Sequence, residues 1–217
     1  MVIAFKKILI TSGPTRASLD AVRFLSNRST GRFGTLLVEE ALRNRMKVTM
    51  VYGRGSQTPR SHPRLRLIPI ETNDDLGRVL KRELSRGGYY AVIHAMAVLD
   101  FQASRVRKGK VGSRGGKWTL ELKPTPKIIQ KIKVWSPKSF LIGFKLEVSE
   151  PVTLLAHARR LMKESKADMV VGNFLTEGED ERHAGYLVTR RQQFEIKKVT
   201  GKKKLAKAIM NWVIKQS

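Results

Sequence analysis

Short runs of β-branched and other apolar residues alternate with helix-spaced apolar stripes from one end of the chain to the other. That alternation restricts it to a mostly parallel sheet flanked by helices. KKILITSG (Lys6–Gly13), KVTMVYG (Lys47–Gly53), LRLIPIET (Leu65–Thr72), YYAVIHAMAV (Tyr89–Val98), FLIGF (Phe140–Phe144) and DMVVGNF (Asp168–Phe174) read as strands. Between them, Leu76, Val79, Leu80 and Leu84 fall on one helical face, with Asn73 as N-cap and Asp74 and Asp75 in the first turn. Leu154, Leu155, Ala158, Leu161 and Met162 form a second stripe, opened by Ser149 with Pro151 in its first turn, and Leu205, Ile209, Trp212 and Val213 form a third. These stripes are core and carry no chemistry. GYLVTRRQQFEIKK (Gly185–Lys198) reads as a terminal β-hairpin, preceded by EGEDER (Glu177–Arg182) as a solvated loop. A chain of 217 residues suffices for one core, so residues 1–217 are expected to form a single α/β domain.

Two segments break the pattern, and both follow predicted strand ends, where open α/β sheets bind ligands. The first runs from Ser12 to about Thr30. Gly13 lets the backbone turn tightly, and Ser29, Thr30 and Gly31 stand where a helix would begin, so unpaired N–H groups and the positive end of a helix dipole suit a phosphate. Neither a Walker Gly-Lys-Ser/Thr nor the spaced glycines of a dinucleotide fingerprint is present. The unusual length of the loop favours a functional role. The second segment, DFQASRVRKGKVGSRGGKW (Asp100–Trp118), is basic, contains glycine and is poor in apolar residues.

Charge narrows the partners. With 43 Lys and Arg against 18 Asp and Glu, the net charge is +25, which favours nucleic acid, acidic membrane or phosphorylated small molecules without choosing among them. The absence of cysteine excludes disulfides, thiolate metal sites and a cysteine nucleophile. Four scattered histidines lack ligand spacing, so no protein metal site is expected. The N-terminal apolar run is too short for a signal peptide, and nothing approaches the roughly 20 apolar residues that span a bilayer, so the chain reads as soluble and cytoplasmic with no membrane partner. A basic nucleic-acid-binding α/β module fits the charge, although Phe101 and Trp118 are the only aromatic platforms at the cationic loop. A nicotinamide-type oxidoreductase would need the missing glycines and an acidic residue after the second strand, where YGRGSQ stands instead.

The wording of the first loop says more. ITSGPTRASLDAVRFLSNRSTGRFG (Ile10–Gly34) resembles the signature of the phosphopantothenate–cysteine ligase family, with its Gly-x-Thr-Arg, Asp-x-Val-Arg and Ser-Asn-x-Ser-x-Gly pieces in order. HAMAVLDF, GKVGS, LELKPTPKII, LIGFKLE and ADMVVGN are similar to successive downstream motifs of that family, so the likeness runs across Ile10–Asn173. The resemblance implies a Rossmann-like sheet with a mobile basic loop, and ligation in coenzyme A biosynthesis. CTP, with Mg²⁺, activates 4′-phosphopantothenate as an acyl-cytidylate with loss of pyrophosphate, and cysteine then displaces CMP. It also implies a homodimer with a shared active site. Because the sequence starts directly at the first ligase strand, no flavin is expected, and a separate decarboxylase is expected to act downstream.

Residue by residue, the resemblance gives catalytic roles to Asn27, which converts the acyl-cytidylate, and to Lys110, ten residues after Asp100, which serves its formation. Arg23, Asn27, Ser29, Thr30 and Gly31 are expected at the acid substrate. Gly13, His94, Ala95, Met96, Asp100, Pro126, Lys127, Ile128, Ile129 and Phe144 are expected at the nucleotide. Met96 replaces the usual Ala and bears on the pocket's shape. Two nucleotide-binding lysines of the family fall by strict spacing on Leu161 and Ser165; Lys163 and Lys166 stand close by and could substitute after a small shift of register, and Lys163 is taken as the substitute.

Overall fold

The computed structural model describes residues 5–147, 151–174, 183–190 and 194–216. Ser149 and the run 177–182, expected to open a helix and to form a loop, lie outside them. Among the described residues, twelve strands and five α-helices follow in the order β1 (Lys7–Ser12), β2 (Arg16–Ser18), β3 (Phe24–Ser26), α1 (Arg32–Arg43), β4 (Lys47–Gly53), β5 (Leu65–Ile70), α2 (Asn73–Ser85), β6 (Tyr89–His94), β7 (Phe101–Ala103), β8 (Leu122–Pro124), α3 (Ile129–Trp135), β9 (Phe140–Glu147), α4 (Pro151–Ser165), β10 (Met169–Phe174), β11 (Ala184–Arg190), β12 (Phe194–Thr200) and α5 (Lys202–Lys215).

The main sheet has eight strands in the order β12-β11-β10-β9-β6-β1-β4-β5. Its six strands from β5 to β10 pair in parallel, and the terminal hairpin joins antiparallel at β10, extending the sheet rather than standing apart. Alternation along β1 divides the core between the two faces. Ile8 and Ile10 pack with Leu37, Val38, Ile209 and Val213 of α1 and α5. Leu9 packs on the other side with Leu76, Leu80, Ile132 and Met162 of α2, α3 and α4. The stripes read from the sequence are thus the faces that meet the sheet.

Local signals explain most boundaries. Helix α2 is capped by Thr72, not Asn73: the Thr72 hydroxyl accepts from Asp75 N, and the Asp75 carboxylate takes the Thr72 N–H, completing a capping box. Asn73 instead donates its amide to Leu99 O at 2.7 Å. Two short antiparallel ribbons lie outside the main sheet: β2–β3 within the first irregular loop, and β7–β8, with β7 at the start of the second and β8 just after it.

The chain leaves β1 toward β4 on one side and later returns to place β6 on its other side, so the strand order reverses between β1 and β6. Crevices for ligands open beyond the carboxyl ends of strands at such a point. Thr11 is opposite His94, and the two strand ends remain tied beyond the sheet by Ala95 N to Thr11 O at 3.2 Å and Ala97 N to Gly13 O at 2.9 Å.

Candidate active site

A cleft of about 920 Å³ opens over the carboxyl ends of β1, β6 and β9. Gly13 and the start of α1 form one side of it. Gly13 has φ of 77°, and a Cβ there would fall 1.9 Å from Ser56 Oγ, so both the turn and the approach demand glycine. Gly31, φ 77°, is the N-cap of α1, and Ser12 Oγ donates to its carbonyl at 3.0 Å, fixing the helix start to the strand end. Helix α1 has no side-chain cap from Gly31 and no acid in its first turn; the Arg32 N–H goes to Thr30 Oγ1 at 3.4 Å, and the N–H groups that follow it and the dipole are left for an anion in the cleft. Gly13→Ala is expected to lose about 1–2 kcal/mol from the left-handed backbone alone, with weakened ligand affinity. Urea unfolding with and without Ser56→Gly, which removes the steric part, measures the two components.

Asn27 lies across from this turn. Its Nδ2 donates to Ala97 O and Val98 O, both at 3.2 Å, so both amide protons are committed to the strand end. Oδ1 finds no donor among the described residues and is the atom offered to a ligand. Ser26 Oγ, donating to Thr15 O at 2.9 Å, anchors the backbone just before it.

His94 is buried, with Nδ1 2.9 Å from Thr11 Oγ1, and burial pushes its pKa from 6.5 to about 4. The ring is therefore neutral at pH 7 and is a packed strand-end residue bordering the cleft. Between pH 6.5 and 4 the unfolded chain binds a proton that the folded chain refuses, so stability from this group is full above pH 6.5 and declines as the pH falls toward 4. The difference is about 3 kcal/mol. His94→Asn should flatten that part of the decline, measured by urea unfolding at pH 6.5 and 4.5. Met96 is buried, packs into the core cluster that also holds Ile128, and donates its N–H to Thr11 Oγ1 at 3.3 Å. It reaches the cleft only as part of the lining, with most of its bulk in the core.

The opposite side carries charge and aromatic surface. Lys127 Nζ stands 2.6 Å from Asp100 Oδ1, and both are exposed to the cleft. Phe144 meets Phe33 edge to face at 5.7 Å, making a paired apolar wall. Glu147 accepts from His157 Nδ1 at 2.5 Å and from Lys145 Nζ at 3.1 Å, and the histidine bond foremost lowers its pKa. Arg28, Arg32, Lys127, Lys145, Arg160 and Lys202 supply cations to the lining, against Asp100 and Glu164 as acids.

The cleft gathers Gly13, Asn27, Ser29, Thr30, Gly31, His94, Ala95, Met96, Asp100, Pro126, Lys127, Ile128, Ile129 and Phe144. It does not gather Arg23, Lys110 or Lys163. Arg23 is turned to Asp20, and Lys110 stands on the loop packed against it. On α4 the cleft face is His157, Arg160, Leu161 and Glu164, spaced i, i+3, i+4 and i+7, whereas exposed Lys163 points about 100° away from Glu164. Ser165 is buried, donating to Leu161 O, so Arg160 is the helix cation at the cleft. Phe33, Lys145, His157 and Arg160 were not singled out from the sequence. The four-residue spacing on α4 was visible there, but only the sheet order shows that this face meets the crevice.

A parallel sheet with a cation-lined cleft at its switch point, a glycine-tightened turn and an open helix N-terminus defines a Rossmann-like α/β protein built to take an anionic ligand. The chain belongs to the family described as the DNA/pantothenate metabolism flavoprotein C-terminal domain, whose model matches residues 3–216. It is 32% identical over 213 residues to the coenzyme A biosynthesis bifunctional protein CoaBC of Thermococcus kodakarensis, covering 97% of this chain and 51% of that protein. The chain thus spans about half the length of that relative. Among solved structures, the DNA/pantothenate metabolism flavoprotein from Streptococcus pneumoniae superposes with a TM-score of 0.89 at 28% identity, covering 98% of this chain and 100% of the other. The C-terminal domain of a CoaBC protein gives 0.77 at 25% identity, covering 97% and 95%.

Proposed function

We propose that this chain is a phosphopantothenate–cysteine ligase of coenzyme A biosynthesis. CTP activates 4′-phosphopantothenate to an acyl-cytidylate, and cysteine converts this to 4′-phosphopantothenoylcysteine. Family membership and the likeness to a coenzyme A biosynthesis protein support the reading. The observation that carries it is Asn27, anchored by Ala97 and Val98 with Oδ1 turned free, in one cleft with an uncapped helix start and six cations.

In the first step a carboxylate oxygen attacks the α-phosphate, forming a C–O–P linkage and releasing pyrophosphate. Two like charges 4 Å apart repel by roughly 4 kcal/mol at an effective dielectric of about 20, about a thousandfold in rate. The α1 N–H groups and cleft cations offset that repulsion and hold both anions in place, without a protein nucleophile. In the second step the cysteine amine attacks the acyl carbon, a C–N bond forms, CMP leaves with the C–O electrons, and the amine proton is lost. Asn27 Oδ1 accepts an amine N–H and so aims the nitrogen lone pair at the carbonyl. Phe33 and Phe144 offer the base an apolar wall, and Asp100 is placed for the base or sugar.

Among the described residues, no group of three or more His, Asp or Glu forms a metal cage. Mg²⁺ belongs to this reading as an ion carried on the triphosphate, in keeping with its habit of staying with substrate phosphates and water.

A homodimer completes the reading, because Lys110 does not line the cleft of its own chain. Val22, Phe24, Phe101, Val106 and Leu122 expose apolar surface on and beside the two ribbons, a surface suited to a second copy. Among the described residues no helix is long and apolar enough to cross a membrane. A cytoplasmic location, with the other steps on these substrates, is part of the same proposal. The deciding assay follows pyrophosphate and amide formation with a nucleotide panel, 4′-phosphopantothenate and cysteine. DNA binding that ignores both substrates and falls steeply with salt, with no product formed, would favour a nucleic-acid module instead.

A further inference from the structure

The Asp20 side chain is fully buried at the tip of the β2–β3 ribbon, and its two oxygens do different work. Oδ1 accepts from Val22 N at 2.9 Å and Arg23 N at 2.7 Å, closing the local turn. Oδ2 reaches outward, taking Arg23 Nη1 at 2.5 Å and the N–H of Val111, 91 residues along the chain, at 3.1 Å. Around this bond the basic loop is stitched to the turn by Arg107 N to Leu19 O at 3.0 Å, Ala21 N to Gly109 O at 3.2 Å and Arg23 Nη1 to Val111 O at 3.1 Å. The Arg23 guanidinium also lies 5.5 Å from the Trp118 ring centre. Burial by itself would raise the carboxyl's pKa, but the N–H groups of Val22, Val111 and Arg23 and the Arg23 guanidinium hold it at about 2, so it is ionised throughout the physiological range.

We propose that Asp20 is a positioning residue for Lys110, latching the basic loop to the ribbon tip so that the two behave as one rigid arm. Gly109 and Val111, on either side of Lys110, are both bonded to the latch, which fixes the backbone while leaving the Lys110 side chain exposed. Arg23, expected at the acid substrate, serves the same latch. The inference rests on the ligase reading for what Lys110 does, but the latch itself does not.

Asp20→Asn separates the two functions of the carboxylate. An asparagine Oδ1 can keep the local turn, while its NH₂ would face the Val111 N–H and the Arg23 guanidinium, donor against donor. The variant should fold, and hydrogen exchange at Ala21 and Val111 should accelerate about tenfold or more as the latch opens. Pyrophosphate release should fall by about a hundredfold in kcat, with KM for CTP changed less than about twofold. Val111→Pro, which deletes the loop-side donor and leaves the buried carboxylate with Arg23, should accelerate exchange at Ala21 and lower kcat in the same way. Unchanged exchange in both variants overturns the latch. Faster exchange with wild-type kcat overturns the positioning role. A wild-type protein that makes no pyrophosphate overturns the ligase reading and Asp20's part in that reaction, while the exchange result still decides the latch.

Discussion

Asn27→Ala should leave the fold intact and stop the reaction halfway, with acyl-cytidylate accumulating in the cleft and amide formation slowed by about 10²–10³-fold. The side chain is exposed, so its loss opens no core cavity. It does release the carbonyls of Ala97 and Val98 that its Nδ2 now holds, and it removes the Oδ1 acceptor to which the proposed mechanism gives the aiming of the cysteine amine. In the proposed mechanism, formation of the intermediate depends on the α1 N–H groups and the cations, which the substitution leaves in place, so the pyrophosphate burst should persist. Asn27→Asp should be as damaging. It keeps the acceptor but sets a carboxylate against two backbone carbonyls and loses both anchoring donors. Rapid quench with labelled CTP measures the intermediate. Wild-type single-turnover kinetics of amide formation in either variant would remove Asn27 from the mechanism.

Lys110→Ala should act one step earlier, suppressing the pyrophosphate burst itself by about a thousandfold, the rate equivalent of one uncompensated pair of like charges in the cleft. The loop residues Gly109 and Val111 keep their bonds to the ribbon tip, so the variant removes a charge and leaves the scaffold. Because Lys110 lies outside its own cleft, the homodimer reading makes a separable prediction. Mixing the Asn27→Ala and Lys110→Ala proteins should restore about a quarter of wild-type activity. Random exchange makes half the dimers mixed, and each of those has one intact site. An unchanged burst in Lys110→Ala would show that another cation does this work. Failure of the mixture to recover, with subunit exchange demonstrated, would place both residues in one chain's site.

The parts of the fold that were legible in the sequence are those with long periodic signals. Ile8, Leu9 and Ile10 alternate between two cores, and Leu76, Leu80 and Leu84 repeat at helical spacing, so strand and helix were distinguishable before any packing was known. The ribbons were not legible. Three-residue strands such as Arg16–Ser18 carry too little alternation to read, and they hold together through a buried carboxylate whose second partner, Val111, is 91 positions away. The capping box was missed by one residue because Thr72 and Asn73 are both capable N-caps, and only Asp75 reaching back to Thr72 N decides between them. At the site, Gly13 and Gly31 were readable because glycine is required where φ is positive and backbones approach. Arg160 and Phe33 were not, since one of three cations on α4 and a lone aromatic on α1 acquire meaning only when sheet order brings their faces to one crevice. The resemblance placed lysines on α4, and the helical phase instead turns Lys163 away and Arg160 inward.

In the proposed reaction, donors and cations already held at the carboxyl edge of the sheet let two anionic reactants meet there. The most direct measurement is the initial rate of pyrophosphate release from CTP, taken with and without 4′-phosphopantothenate. Rapid release that requires the acid and proceeds before any cysteine is added is the expected result. Release that ignores the acid, or none with any nucleoside triphosphate, contradicts it.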